Sequence, residues 1–332
     1  MVCVFSGRAI EVNLTPNANN YIIVRARLSK FSFGGQRLER RAARPADWVW
    51  ACLAGLAYIA LQLAVARLRL ASPLLYAGIS IVSLLVSLAF AVSLARSLRG
   101  TRSLVTALIL TAVIVLPFML LQVVPLVTPV QVVAASRVFR CYVAVFRAVP
   151  GLLGLLTIAL AVEVGVLVSR LVREVKILLP IAVVLALVDL YVVFGGGMVA
   201  QANSGRSPAA QQAMQVLTVN LLPRPAAAPH AMQPVAAGFA DYLFIALFFA
   251  AFARFGVPVR RTFLVLCGTL AVYMAAVIAL RLDLPALLPI AAVVIGCHLD
   301  AFRYRRDEAF AMLYAGLLVA AILGAMTYFG RK

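Results

Sequence analysis

Residues 176–198, KILLPIAVVLALVDLYVVFGGGM, and residues 236–256, AAGFADYLFIALFFAAFARFG, place one aspartate each, Asp189 and Asp241, within a run of apolar side chains. Either run is long enough to cross a bilayer as a helix, which takes about 20 mostly apolar residues. The same rule read outward predicts nine spans, at about 47–67, 72–95, 103–127, 149–171, 176–198, 236–256, 262–281, 284–300 and 308–329. Residues 130–147 are interrupted by Arg137, Arg140 and Arg147. An arginine at mid-bilayer costs about 2.5–3.5 kcal/mol on insertion scales, so this stretch reads as an interfacial helix. The expected fold class is an all-α polytopic membrane protein with about nine transmembrane helices, or ten if 130–147 spans.

Composition excludes the soluble classes. Of 332 residues, 64% are hydrophobic and 12% charged, too few charges to cover the surface of a soluble enzyme of this size. The formal net charge of +19 would suit a nucleic-acid binder, but most Lys and Arg fall at the ends of apolar runs, where they anchor helices at lipid headgroups. No nucleic-acid partner is expected; the lipid bilayer is. Their excess on the N-terminal side of the nine-helix arrangement places the N-terminus in the cytosol. Residues 1–46 form a basic N-terminal tail without the apolar stretch of a signal peptide. Residues 47–148 hold the N-terminal spans and 149–300 the core. Within that core, 199–235 is a flexible loop entered through Gly195, Gly196 and Gly197; residues 301–332 hold the last span and tail. Cys3, Cys52, Cys141, Cys267 and Cys297 are scattered, and His230 and His298 are two, so no disulfide framework, metal site or cofactor is expected.

Of 11 acids, only Glu163, Asp189 and Asp241 lie well inside apolar segments, where an ionisable group is a functional-site candidate by its cost alone. Asp189 lies about nine residues before its span ends near 198, and Asp241 about five after the next begins near 236. At 1.5 Å per residue both sit about 8–14 Å below the same membrane face. Glu163 has no such partner and is read as structural, with Arg170 a heptad away. Leu284-Pro285-Ala286-Leu287-Leu288-Pro289 opens a later span at that same face. Pro285 suits a first helical turn, whereas Pro289 removes a donor and frees a carbonyl inside the membrane. Such backbone is tolerated only against protein or a wet cavity, so a cavity near both aspartates is expected.

These residues carry a resemblance. Val188-Asp189-Leu190-Tyr191-Val192-Val193-Phe194 resembles the first-aspartate motif of the presenilin and signal-peptide-peptidase family of intramembrane aspartyl proteases. Gly238-Phe239-Ala240-Asp241 resembles its GxGD motif, and Leu284-Pro285-Ala286-Leu287 its PAL motif. The resemblance covers about residues 149–300 and points to a prokaryotic member in the cell membrane. Two positions depart from the pattern: Val188 stands where a tyrosine is usual, and Ala240 where GxGD has its second glycine. The family carries its aspartates in the sixth and seventh of nine helices and PAL in the ninth. Here they fall in the fifth, sixth and eighth, and a spanning 130–147 would restore the numbering.

The resemblance implies an aspartic endopeptidase that cuts transmembrane helices of membrane proteins or signal peptides without metal or cofactor. Asp189 and Asp241 are the implied catalytic pair. Tyr191, Gly238, Phe239, Ala240, Pro285, Ala286 and Leu287 are the implied motif and substrate-binding residues. Two adjacent carboxyls share a proton, so one can activate water while the other polarises a carbonyl. Two other readings fit the same acids: a relative that binds membrane helices without cutting them, and a proton-coupled transporter with Asp189, Asp241 and Glu163 as a relay.

Overall fold

A computed structural model describes residues 2–5, 8–16, 22–29, 45–67, 72–98, 149, 151–194, 218–222, 236–280, 284–302, 310, 314 and 316–325, with isolated helical positions between 105 and 113. The expected spans at 103–127 (those isolated positions apart) and 308–329 (its 316–325 stretch and two single positions apart), the interfacial stretch 130–147 and the run Gly195–Gly197 lie outside the described residues. The chain divides into two units, Met1–Arg41 and Ala42–Lys332.

The first unit is a sheet. Strands β1 (Val2–Phe5), β2 (Arg8–Pro16) and β3 (Ile22–Ser29) pair antiparallel in sequence order. Only two residues separate β1 from β2, the length of a tight hairpin. Apolar and polar residues alternate along β2 (Ile10, Val12, Leu14) and β3 (Val24, Ala26, Leu28), and the register sets Ile10 opposite Leu28, Val12 opposite Ala26 and Leu14 opposite Val24. This period of two gives residues 2–29 a small sheet of their own within a mostly helical chain.

The second unit is helical. Helices α1 (Pro45–Arg67), α2 (Pro73–Ser97) and α3 (Leu152–Ser169) are followed by a 3₁₀ turn, Val175–Ile177, that leads into α4 (Leu178–Phe194). Strands β4 (Thr218–Asn220) and β5 (Ala236–Gly238) precede α5 (Phe239–Arg254), α6 (Val259–Leu280), α7 (Leu287–Cys297) and an apolar helix α8 (Gly316–Ala325). Among the described residues five helices are long and apolar enough to cross a membrane: Asp47–Arg67, Leu74–Ser97, Leu152–Ser169, Val175–Phe194 and Val259–Leu280. The chain therefore has the make-up of a multi-pass membrane protein. The expected spans at 236–256 and 284–300 are shorter as helices, because residues 236–238 are drawn into strand pairing and Pro285 lies ahead of the helical backbone of α7.

Helix α5 is the centre of this unit. Tyr242 and residues 245–252 are buried on all sides, as befits a helix apolar around its whole circumference. Its main neighbour is α3, and the approach is close because α3 carries Gly165 there. A Cβ on Gly165 would collide with the Leu243 carbonyl oxygen and lie 3.0 Å from the Ala246 Cβ. Arg254 then closes the far end, its guanidinium donating to the carbonyls of Ser169 (3.2 Å) and Arg170 (3.1 Å) at the C-terminus of α3. A cation there also complements the helix dipole. By contrast α6 buries only the stripe Thr262, Leu266 and Leu270, leaving Leu264, Val272 and Leu280 exposed. Large apolar side chains uncovered along such a helix suit a lipid-facing surface.

Replacing Gly165 by Ala overpacks the α3–α5 contact and is expected to destabilise the protein by about 1–3 kcal/mol, seen as a lower melting temperature in detergent. Gly268→Ala on α6, where nothing lies within 4 Å of the added carbon, is expected to leave melting unchanged or slightly raised.

Candidate functional site

Asp241 is the third residue of α5, not the sixth residue of a longer helix, because the chain up to Gly238 is extended (φ −74°, ψ 147°). From that position its carboxylate reaches back over the first turn, and Oδ2 accepts the Gly238 N–H at 2.9 Å. This is one half of a capping box and satisfies a donor that the helix start leaves open. The approach is close: a Cβ on Gly238 would sit 3.2 Å from Asp241 Oδ2, tight enough that the carboxylate would have to shift by a few tenths of an ångström. Gly238 and Asp241, two residues of the expected motif, are thus one hydrogen-bonded unit.

Asp189 lies in the last described turns of α4, partly buried. Its Oδ2 accepts the backbone N–H of Leu287 at 2.8 Å. Leu287 is the first residue of α7, so its amide is one of the helix-start donors, and α4 packs along α7. Residues 98 positions apart are joined directly by this bond. Asp189 and Asp241 are close enough that the charge of one acts on the other. Each carboxyl is anchored through Oδ2, and among the described residues the second oxygen of each takes no hydrogen bond.

Pro285, Leu287 and Pro289 are buried and Ala286 partly so. The Pro285 carbonyl accepts the Tyr273 hydroxyl at 2.9 Å. Tyr273, on α6, lies in the field of both aspartates and was not singled out from the sequence. The carbonyl expected to need a wet cavity is therefore met by a protein hydroxyl. Phe239, the first residue of α5, packs against the core, and Ala240 is exposed. Tyr191 lies two residues beyond Asp189, about 200° round the helix, and no described contact joins it to the aspartates.

The loop expected to be flexible over 199–235 is in part fixed. Strand β4 pairs with β5, Val219 opposite Ala237, and Val219, Leu221 and Leu222 are almost fully buried. The Leu221 carbonyl accepts two hydrogen bonds, from Gln62 Nε2 and from Ser83 Oγ, both at 2.6 Å. Ser83 belongs to a stripe on α2, Ser80, Ser83 and Ser87, at helical spacing and wholly buried. Ser87 donates to the Leu84 carbonyl (2.7 Å), so with its one proton used it accepts from the Tyr242 hydroxyl, also at 2.7 Å. Small hydroxyl residues serve helix contacts in lipid in this way. The segment 218–222 is thereby tied to α1 and α2, and through β5 to the residue that bonds Asp241.

Glu163 is buried within α3, 2% exposed. At the far end of α5, His298 shares a 2.7 Å hydrogen bond with Thr262 and packs on the Phe252 ring. No family model, curated protein or solved structure matches the chain.

Changing Gln62 to Leu together with Ser83 to Ala removes both donors to the Leu221 carbonyl and leaves it buried and unpaired. A loss of about 1–3 kcal/mol at that locus is expected, read as faster amide hydrogen exchange in 218–222 and 236–238, with exchange in α3 unaltered.

Proposed function

We propose that this protein is an intramembrane aspartic endopeptidase of the presenilin and signal-peptide-peptidase type, acting on transmembrane helices or signal peptides in a prokaryotic cell membrane. The observation that carries the reading is the convergence of two aspartates from successive apolar segments, one of them hydrogen-bonded to the Pro285-Ala286-Leu287 turn. In the proposed reaction a water held between Asp189 and Asp241 loses a proton to one carboxylate. The other, protonated, polarises the scissile carbonyl and later gives its proton to the departing amine. Anchoring both groups through Oδ2 supports this, because it leaves the second oxygens for water and substrate.

A helical substrate presents a carbonyl already bonded within its own backbone, so it must unwind before it is cut. Beside the site lies a two-stranded sheet, β4 and β5, that runs directly into the first turn of α5. An extended substrate segment would recover its backbone hydrogen bonds by adding a strand to that sheet. Ala240 in place of a second glycine is compatible with the reading, since it is exposed.

Asp189→Asn and Asp241→Asn are each expected to lower cleavage of a reporter transmembrane helix by at least about a hundredfold, with melting temperatures near that of the unaltered protein. Glu163→Gln is expected to cut at a rate within a few-fold of the unaltered protein. Loss of function in Glu163→Gln equal to that of the aspartate variants would favour the proton-relay transporter instead, and retained cleavage in either asparagine variant would exclude the dyad.

A further inference from the structure

We propose that Tyr273 is a positioning residue of this site: its hydroxyl replaces the amide proton that Pro289 lacks and so fixes the turn that presents the Leu287 N–H to Asp189. In an α-helix the N–H of each residue bonds the carbonyl four before it. For position 289 that carbonyl belongs to Pro285, and proline has no N–H to give. In a membrane no bulk water relieves a bare carbonyl, and leaving one unpaired costs several kcal/mol. Tyr273 supplies the donor from α6, at 2.9 Å.

The location of that bond gives it a second effect. The Pro285 carbonyl and the Leu287 N–H belong to adjacent peptide groups, separated only by the two backbone torsions of Ala286 (φ −76°, ψ −23°). Tyr273 holds the first group and Asp189 the second. Orienting one plane therefore restricts the other, and the direction of the N–H that anchors Asp189 depends on a tyrosine from a different helix. Buried Pro285, Leu287 and Pro289 leave the turn little room to relax. The hydroxyl also lies within the field of both carboxyls, so the bond belongs to the site. Pro289 and Tyr273 form a matched pair: the proline creates the vacancy and the tyrosine fills it.

The pairing makes a double-substitution test possible, and its catalytic arm rests on the protease reading. The full chain in detergent is compared as unaltered protein, Tyr273→Phe, Pro289→Ala and the combination. Tyr273→Phe is expected to speed amide exchange at Leu287 about tenfold, the equivalent of one net hydrogen bond, and to lower kcat on a reporter helix with KM within about twofold. Pro289→Ala restores a backbone donor to the Pro285 carbonyl, so the combination is expected to regain both the protection and the rate. Exchange at Leu287 unchanged in Tyr273→Phe, or no recovery in the combination, overturns the proposal. If Tyr273→Phe alone does not fold, the comparison is made in the Pro289→Ala background, where the change must be tolerated; failure to fold there also overturns it. If the unaltered protein cuts no helix, the protease reading fails, while the exchange series still decides the role of Tyr273.

Discussion

A carboxylate packed among apolar helices needs donors, and here each aspartate finds one in the backbone at a helix start. Gly238 supplies Asp241 and Leu287 supplies Asp189. Helix starts are suitable because their first amides have no carbonyl within the helix to bond. The same two bonds that satisfy the acids also fix them relative to the chain, since backbone amides cannot swing away as side chains do. Convergence of α4, α5 and α7 at one end of the unit follows from this requirement.

The rest of the unit holds those helix starts in place. Gly165 allows α3 to lie against the Leu243 carbonyl, which sets how closely α5 packs on α3. The serine stripe on α2 grips α5 through Tyr242 and grips the 218–222 segment through Ser83. That segment pairs with β5, which ends at the glycine bonded to Asp241. The site therefore depends on small residues and hydroxyls in helices that the aspartates never touch. Apolar side chains supply the bulk of the buried volume, and polar groups set the register.

Much of this was legible in the sequence. The apolar runs marked the helices because length and hydropathy dominate in a membrane, and α1, α2, α3 and α6 end within a few residues of the expected limits. The acids stood out because charge in such runs is costly, and Pro289 announced a freed carbonyl. What remained hidden depended on partners distant in the chain. Nothing in a single tyrosine on α6 says that it faces Pro285, and Gln62 reads as a lone polar residue until Leu221 is seen against it. Ser80, Ser83 and Ser87 did carry a signal, spaced at three and four, as did the alternation in 8–16 and 22–29. Asp241 lies nearer the start of its helix than expected because strand pairing claimed the residues taken for the first turn.

In the proposed function Asp189 and Asp241 act on one bound group together, and that joint action is open to a direct assay. It is tested most directly by retention on an immobilised transition-state isostere of aspartic proteases, whose hydroxyl takes the place of water between two carboxyls. The unaltered protein is expected to be retained and released by the free compound, and either aspartate-to-asparagine variant to pass through unretained. Equal retention of either variant and the unaltered protein, or no retention of any form, would contradict it.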